Sequence, residues 1–162
     1  MGSGWSAGSL LSSGRDGAAA ARLLRAGPVL TTISLLALAV VVPGSADLSP
    51  GVRMLLCGLP LAGAGAGVGI GWPHLLNRVL NLAPAGEGDT ASPAITTIQL
   101  YGMAVGAAVA GLVANAAGLT DPGAPVGARS AAVWLFASFA LAPALAALLA
   151  SRITRAPGTT SP

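Results

Sequence analysis

Four blocks of this sequence are each long and apolar enough to cross a lipid bilayer, and this feature limits the possible folds more than any other. They cover residues 22–43, 52–82, 91–119 and 130–152. A helix of about 20 predominantly apolar residues spans the hydrocarbon core. Only 8% of the residues are charged, whereas about a quarter are in a soluble domain. The sequence therefore predicts an all-α integral membrane protein, a bundle of four transmembrane helices.

The segments outside these blocks divide the chain further. Residues 1–16 are small and weakly apolar, and we expect them to form the end of a partial N-terminal helix. Residues 17–155 form the predicted four-helix transmembrane region, and residues 156–162 a disordered cytoplasmic tail. The second block is longer than the hydrocarbon core is thick, which implies tilt, extension into water or kinks. Pro60 and Pro73 are the expected kinks, because proline removes a backbone donor.

A different interpretation of the first apolar block is also possible. Arginines, an apolar core and then Pro43, Gly44, Ser45 and Ala46 resemble a secretory signal with a small-residue cleavage site. The basic region is longer than is usual for such signals. Three further apolar blocks follow, so cleavage would still leave a membrane protein.

The arginines predict the orientation of the chain, since loops on the cytoplasmic side are enriched in basic residues. One set of helix ends carries Arg15, Arg22, Arg25, Arg78, Arg152 and Arg155. The other set carries Arg53 and Arg129. We therefore expect a multi-pass protein of the cell (inner or plasma) membrane with its C-terminus in the cytoplasm.

Glycine and alanine recur at helical spacing in the two middle blocks. The second block carries Gly63, Gly67 and Gly71, and the third carries Gly102, Gly106 and Ala110. A phosphate-binding glycine loop would need a preceding strand and a βαβ unit, which the sequence does not suggest. Small residues repeated every four positions let two membrane helices approach closely. We predict that both stripes are helix-packing surfaces.

Polar side chains inside the middle blocks are the candidates for a substrate or proton pathway: Trp72, His74, Asn77 and Gln99. Histidine changes charge near neutral pH, so His74 could couple transport to protons. It could also be a hydrated residue near the cytoplasmic end of a long helix, and its position one turn from Arg78 favours this second interpretation. Asn77 could bind substrate or satisfy backbone groups freed by Pro73, and Gln99 could make an interhelical hydrogen bond.

Composition excludes several other functions. A formal net charge of +3 without a basic stripe gives no sign of nucleic-acid binding. One histidine and five acids in loops or termini supply no nucleophile with a base and an orienting acid, so enzymatic activity is not expected. Cys57 is the single cysteine, and we expect it to act as a small apolar residue. No metal ligand cluster and no cofactor are predicted.

The run from Gly63 to Leu119, with its alternating glycines, the Pro/Glu-containing loop and the Gly/Ala stripe, resembles part of the major facilitator superfamily. It is similar to the tenth and eleventh helices of twelve-helix, drug-efflux-like members. The segment around Gly4, Trp5 and Gly8 resembles the end of their eighth helix, which makes the first and fourth blocks the ninth and twelfth. The resemblance implies that these two outer blocks face lipid, and they hold the fewest polar groups.

This resemblance implies a carboxyl-terminal fragment of a permease that exports drugs or small molecules by proton exchange. Its expected partners are the lipid bilayer, the missing helices of the parent transporter, a small-molecule substrate and protons. Alternating access needs two halves, so the chain alone should not transport. Two other hypotheses are a stand-alone four-helix subunit that binds another membrane protein, and a small dimeric multidrug exporter. The last needs a buried acid, which the sequence does not offer.

Overall fold

The described residues fold into five α-helices. The computed structural model describes the backbone of residues 2–14, 18–82 and 88–153 and the side chains of residues 2–14, 19–82 and 93–152. The helices are α1 (Gly2–Ser12), α2 (Ala18–Gly44), α3 (Pro50–Leu82), α4 (Gly88–Ala116) and α5 (Val126–Ile153). Arg15, Asp16, Glu87, Asp89, Arg155 and the tail 156–162 lie outside the described residues or side chains.

Helices α2 to α5 are each long and apolar enough to cross a membrane. Large apolar side chains cover their outer surfaces, for example Met54, Leu112 and Leu148, which are 80%, 70% and 62% exposed. In water such a surface would be an association or aggregation site, whereas in a bilayer it contacts lipid. The all-α membrane helix bundle expected from the sequence is therefore confirmed.

Each long helix begins a few residues before the apolar block that predicted it. Hydropathy marks the part of a helix inside the hydrocarbon, but the backbone hydrogen-bond ladder continues into the polar ends. Pro50 lies within α3 and Arg129 within α5 for this reason. Proline does not interrupt the helices: α3 continues through Pro60 and Pro73.

The end of α4 comes before the predicted residue 119, and a glycine cap explains it. Gly118 has a φ of 98°, which a residue with a Cβ rarely adopts. The Gly118 N–H donates to the Asn115 carbonyl, and the Leu119 N–H donates to the Ala114 carbonyl. This pair of bonds is a Schellman motif, which satisfies carbonyls that the end of a helix leaves free.

Helix α2 lies at the centre of the bundle. It packs against α3 on one side and α5 on the other, and α1 packs on α3. Leu38 of α2 is 1% exposed and Ala140 of α5 is 3% exposed. The hydroxyls of Thr31 and Thr32 donate to carbonyls four residues earlier in α2, so these polar groups are satisfied within their own helix.

Helix α4 is held much less tightly. It contacts α5 over a short stretch and α3 at very few positions. Ala114, near its end, is its buried apolar residue, at 8% exposure. The connection to α5 is close, since a Cβ on Gly127 would overlap the Gly118 carbonyl. Most of the length of α4 therefore has no protein neighbour among the described residues.

Candidate functional site

Helix α3 carries most of the candidate residues, and its glycines set how closely its neighbours approach. On one face, Gly4 and Gly8 of α1 lie against the backbone of α3 at Ala62 and Ala66. A Cβ on Gly8 would come within 2.5 Å of the Ala66 carbonyl oxygen. The Ser9 hydroxyl donates to the Gly69 carbonyl oxygen at 3.2 Å. Glycine thus lets α1 run along α3 at backbone contact.

The next face of α3 contacts α2. A Cβ on Gly63 would come within 2.6 Å of the Ser34 hydroxyl, and one on Gly67 would come equally close to the Gly27 carbonyl oxygen. Gly67 also lies against Thr31. Residue numbers rise along α3 as they fall along α2 at these contacts, so the two helices are antiparallel. Gly63 and Gly67 therefore lie where the structure needs residues without side chains.

Three of the remaining four predicted packing residues have open space where a side chain would begin. A Cβ on Gly71, Gly102 or Gly106 would meet no atom within 4 Å. Gly71 still touches α2 through its backbone, since a Cβ on Gly27 would lie 3.3 Å from the Gly71 nitrogen. Ala110 is half-buried on α4. The stripe on α3 thus has a partner within this chain, and the described residues provide none for Gly102 and Gly106.

Trp72 lines a groove of about 450 Å³ between α2, α3 and α5. We call it the α2–α3–α5 groove, and its walls include Leu24, Thr31, Gly67, Trp72, Arg78 and Ala146. Arg78 is exposed at its mouth. The groove is lined mainly by apolar atoms, so it suits an apolar or amphiphilic molecule.

One side-chain nitrogen of His74 is buried. Its Nε2 is shielded from solvent and has no hydrogen-bond partner among the described residues. His74 follows Gly67 by seven residues, which puts both on the same face of α3. A buried imidazole nitrogen without a partner costs free energy. A water, a proton or a group from another polypeptide would relieve that cost.

The four pathway candidates do not meet in one cavity. Asn77 is exposed and follows Trp72 by five residues, so their side chains leave α3 about 140° apart. Gln99 is half-buried on α4, which barely contacts α3. His74 and Asn77 do not line the groove that holds Trp72. A shared pathway through these residues would need a further wall, formed by protein residues other than the described ones.

The end of the bundle opposite to Arg78 contains an ion pair and a second cavity. The Arg129 guanidinium donates to both Asp47 carboxylate oxygens, at 3.3 and 3.1 Å. The cavity, about 670 Å³, is lined by Arg53, Cys57 and Arg129 among others. The Cys57 sulfur lies 3.6 Å from the Ser45 hydroxyl. Within the described residues, no group of three or more His, Cys, Asp and Glu side chains could hold a metal ion.

Some residues that the structure shows to be important were not predicted from the sequence. Gly27, Thr31 and Ser34 of α2 provide the surface that receives the glycines of α3. One signal was available, because these three residues follow each other at spacings of three and four, as one helix face requires. The partner of Asp47 was not predictable, since Arg129 lies 82 residues away in the chain.

Two curated proteins are similar to this chain. They are probable multidrug-efflux transporters of Mycobacterium tuberculosis, one from strain CDC 1551 / Oshkosh and one from strain ATCC 25618 / H37Rv. Each is 36% identical over 115 residues, which is 70% of this chain and 24% of the relative. The chain therefore spans about a quarter of the length of these relatives. No protein-family model matches it, and no solved structure does.

Proposed function

We propose that this chain is part of a membrane transporter of the major facilitator type that exports drugs or other small molecules in exchange for protons. One observation carries the proposal: a chain with four helices of membrane-spanning length is 36% identical over 115 residues to probable multidrug-efflux transporters. We place this transporter in the cell membrane with the arginine-rich helix ends and the C-terminus in the cytoplasm, as the arginine distribution favours.

The proposal includes further transmembrane helices, from the same or another polypeptide, beside α4. A methyl group added to Gly102, Gly106 or Gly111 would meet no atom within 4 Å, and small residues of this kind favour close helix contact. The relatives are about four times as long as the segment that they share with this chain. Such helices would also provide the wall that a shared pathway through His74 and Gln99 needs.

His74 is the proposed proton-coupling residue, and Trp72, Asn77 and Gln99 the proposed substrate contacts. The unpartnered His74 Nε2 supports the first assignment, because a buried imidazole nitrogen that lacks a partner among the described residues can exchange a proton with water or with a group on a neighbouring helix. Ionisable groups inside a membrane are costly and usually serve a function.

A chimeric transporter tests the proposal. The 115 aligned residues of the strain H37Rv relative would be replaced by the matching residues of this chain, and efflux of a fluorescent dye would be measured in inverted vesicles under an imposed pH gradient. We expect the chimera to retain efflux driven by the gradient. In that chimera, His74→Ala should reduce gradient-driven efflux at least about tenfold, because the proposed general acid–base group is lost. The exposed Asn77→Ala should retain coupling, since it removes a substrate contact only.

Two results would contradict this proposal. Proton exchange would be excluded if the chimera without point substitutions continued to export dye after the pH gradient was collapsed. A correctly inserted chimera without efflux, together with stable capture of an unrelated membrane protein by the chain through α4, would favour the stand-alone subunit instead. The chain by itself, reconstituted in vesicles, should move no dye.

A further inference from the structure

The α2–α3–α5 groove has the length of one bilayer leaflet. It runs along α3 from Gly67 to Arg78, which at 1.5 Å per residue is about 16 Å. The hydrocarbon core is about 30 Å thick, so a groove of this length with Arg78 at the membrane surface would reach about the middle of the bilayer. A transmembrane helix crosses both leaflets and would be covered over only half its length here. A lipid acyl chain has the matching reach.

The walls explain why the groove stays open between the helices and accessible to lipid. Gly67, Gly71 and Ala146 contribute almost no side-chain volume, so the space between α3 and α5 along this line is not filled by side chains. Leu75 and Leu149, which also line the groove, are 49% and 60% exposed. Their exposed surfaces face the surroundings of the bundle, and an acyl chain could therefore enter sideways from the bilayer.

The described charged side chains at the mouth of the groove are positive. Arg78 is exposed there and makes no hydrogen bond or ion pair with any described residue. The nearby ends of α2 and α5 contribute further arginines: Arg22, Arg25 and Arg152. Asp47 and Asp121, whose side chains are described, belong to the opposite end of the bundle. The other three acids of the sequence, Asp16, Glu87 and Asp89, have side chains outside the described part.

We propose that the α2–α3–α5 groove binds an anionic phospholipid, with one acyl chain along Gly67 and Gly71 and the phosphate at Arg78. Guanidinium groups pair with phosphate through two parallel hydrogen bonds, and basic pockets between transmembrane helices bind anionic lipid headgroups. The apolar walls hold the acyl chain. The lipid proposal does not depend on the transport function proposed above, although Trp72, a proposed substrate contact, also lines this groove.

Retention of lipid by the purified chain tests the proposal. Phosphatidylglycerol and phosphatidylcholine of equal chain length would be compared by native mass spectrometry. We expect phosphatidylglycerol to be preferred. Arg78→Gln should weaken its binding about fivefold, the effect of one basic residue near an anionic surface. Arg53→Gln is the matched control, because Arg53 is also exposed but lies at the other end of α3, and it should leave binding unchanged. Equal losses in the two variants would overturn the proposal.

A second measurement keeps Arg78 intact and so does not depend on how that variant folds. In a Trp5→Phe, Trp134→Phe background, Trp72 is the single tryptophan, and brominated lipids quench its fluorescence on contact. Brominated phosphatidylglycerol should quench Trp72 clearly more strongly than brominated phosphatidylcholine at the same mole fraction. Trp134, 62% exposed near the other end, should show no such preference when it is the single tryptophan. Equal quenching of Trp72 by both lipids would refute the site.

Discussion

At the scale of the residue, the bundle depends on positions that have no side chain. Gly4, Gly8, Gly63 and Gly67 lie where a single methyl group would overlap backbone or hydroxyl atoms of the neighbouring helix. Lipid is as apolar as leucine, so burial of apolar area provides little driving force between membrane helices. Close approach instead gains dispersion contacts along the backbone. These glycines therefore stabilise the fold because they have no side chain that would keep the helices apart.

Gly67→Ala tests this packing role. The added methyl group would overlap Gly27 and Thr31, and we expect the free energy of unfolding to fall by about 1–3 kcal/mol, the usual cost of overpacking. Reversible unfolding in mixed micelles, followed by circular dichroism, measures the change. Gly58→Ala in the same helix is the control, because its methyl group meets no atom within 4 Å. That control should be neutral or stabilise by up to about 1 kcal/mol through helix propensity. Equal effects would disprove the packing role.

At the scale of the element, α3 and α4 contrast sharply although both carry small-residue stripes. Helix α3 lies between α1 and α2, which contact its glycines, whereas α4 is joined to α5 mainly near the capped turn at Gly118. The apolar surface and glycines of α4 thus face lipid or another protein. Gln99 lies on α4 as well, where a polar amide in lipid is unfavourable unless it finds a hydrogen-bond partner.

Gly106→Leu tests whether α4 faces lipid or another protein. In the purified chain, the Cβ of the new side chain meets no atom within 4 Å, so we expect the free energy of unfolding to stay the same or rise by up to about 1 kcal/mol. In the chimeric transporter, the same change should lower dye efflux at least about fivefold, because leucine would block the proposed helix contact. Gly67→Leu should instead destabilise the purified chain. Full efflux from a Gly106→Leu chimera would argue that α4 faces lipid at this position.

At the scale of the whole molecule, the central helix α2 runs antiparallel to both α3 and α5. The Arg129 to Asp47 ion pair joins the α2–α3 turn to the start of α5 and puts both at the same end. Both side chains are substantially exposed, at 47% and 87%, so this pair contributes at most about 1 kcal/mol. The ion pair is informative about topology instead. It identifies one end of the bundle, and Arg22, Arg78 and Arg152 lie at the opposite helix ends.

Thiol labelling in intact cells tests this threading. In a Cys57→Ser background, Ser49→Cys should react with a membrane-impermeant maleimide added outside, because the arginine count places this end on the outer side. Arg152→Cys should react only after the membrane is permeabilised. Cys57→Ser protein without an introduced cysteine, treated with the same maleimide, measures the background labelling. Helices α3, α4 and α5 lie between the two positions, so labelling of both introduced thiols from the same side would contradict an odd number of crossings between them.

Much of the architecture could be predicted because local properties control it. The length and apolarity of the four blocks required four membrane helices, since lipid cannot satisfy backbone polar groups. Gly118 caps α4, and a glycine at the end of a helix is a signal that lies in the local sequence. Spacing alone also indicated that Gly63 and Gly67 lie on one face. The bounds of α4 were less accurate, because hydropathy does not record where the backbone hydrogen-bond ladder starts or stops.

What the sequence by itself determined about this protein is the number, length and environment of its helices, together with the positions of its small-residue faces. Only the tertiary structure decided which of those faces has a partner, that Trp72 lines a groove from which Asn77 is absent, and that this groove opens at Arg78. The reason is physical: helix formation in a membrane depends on neighbours within one turn. Contact between helices depends on the matching of two surfaces far apart in the chain, such as Gly67 with Gly27, and no local pattern specifies that match.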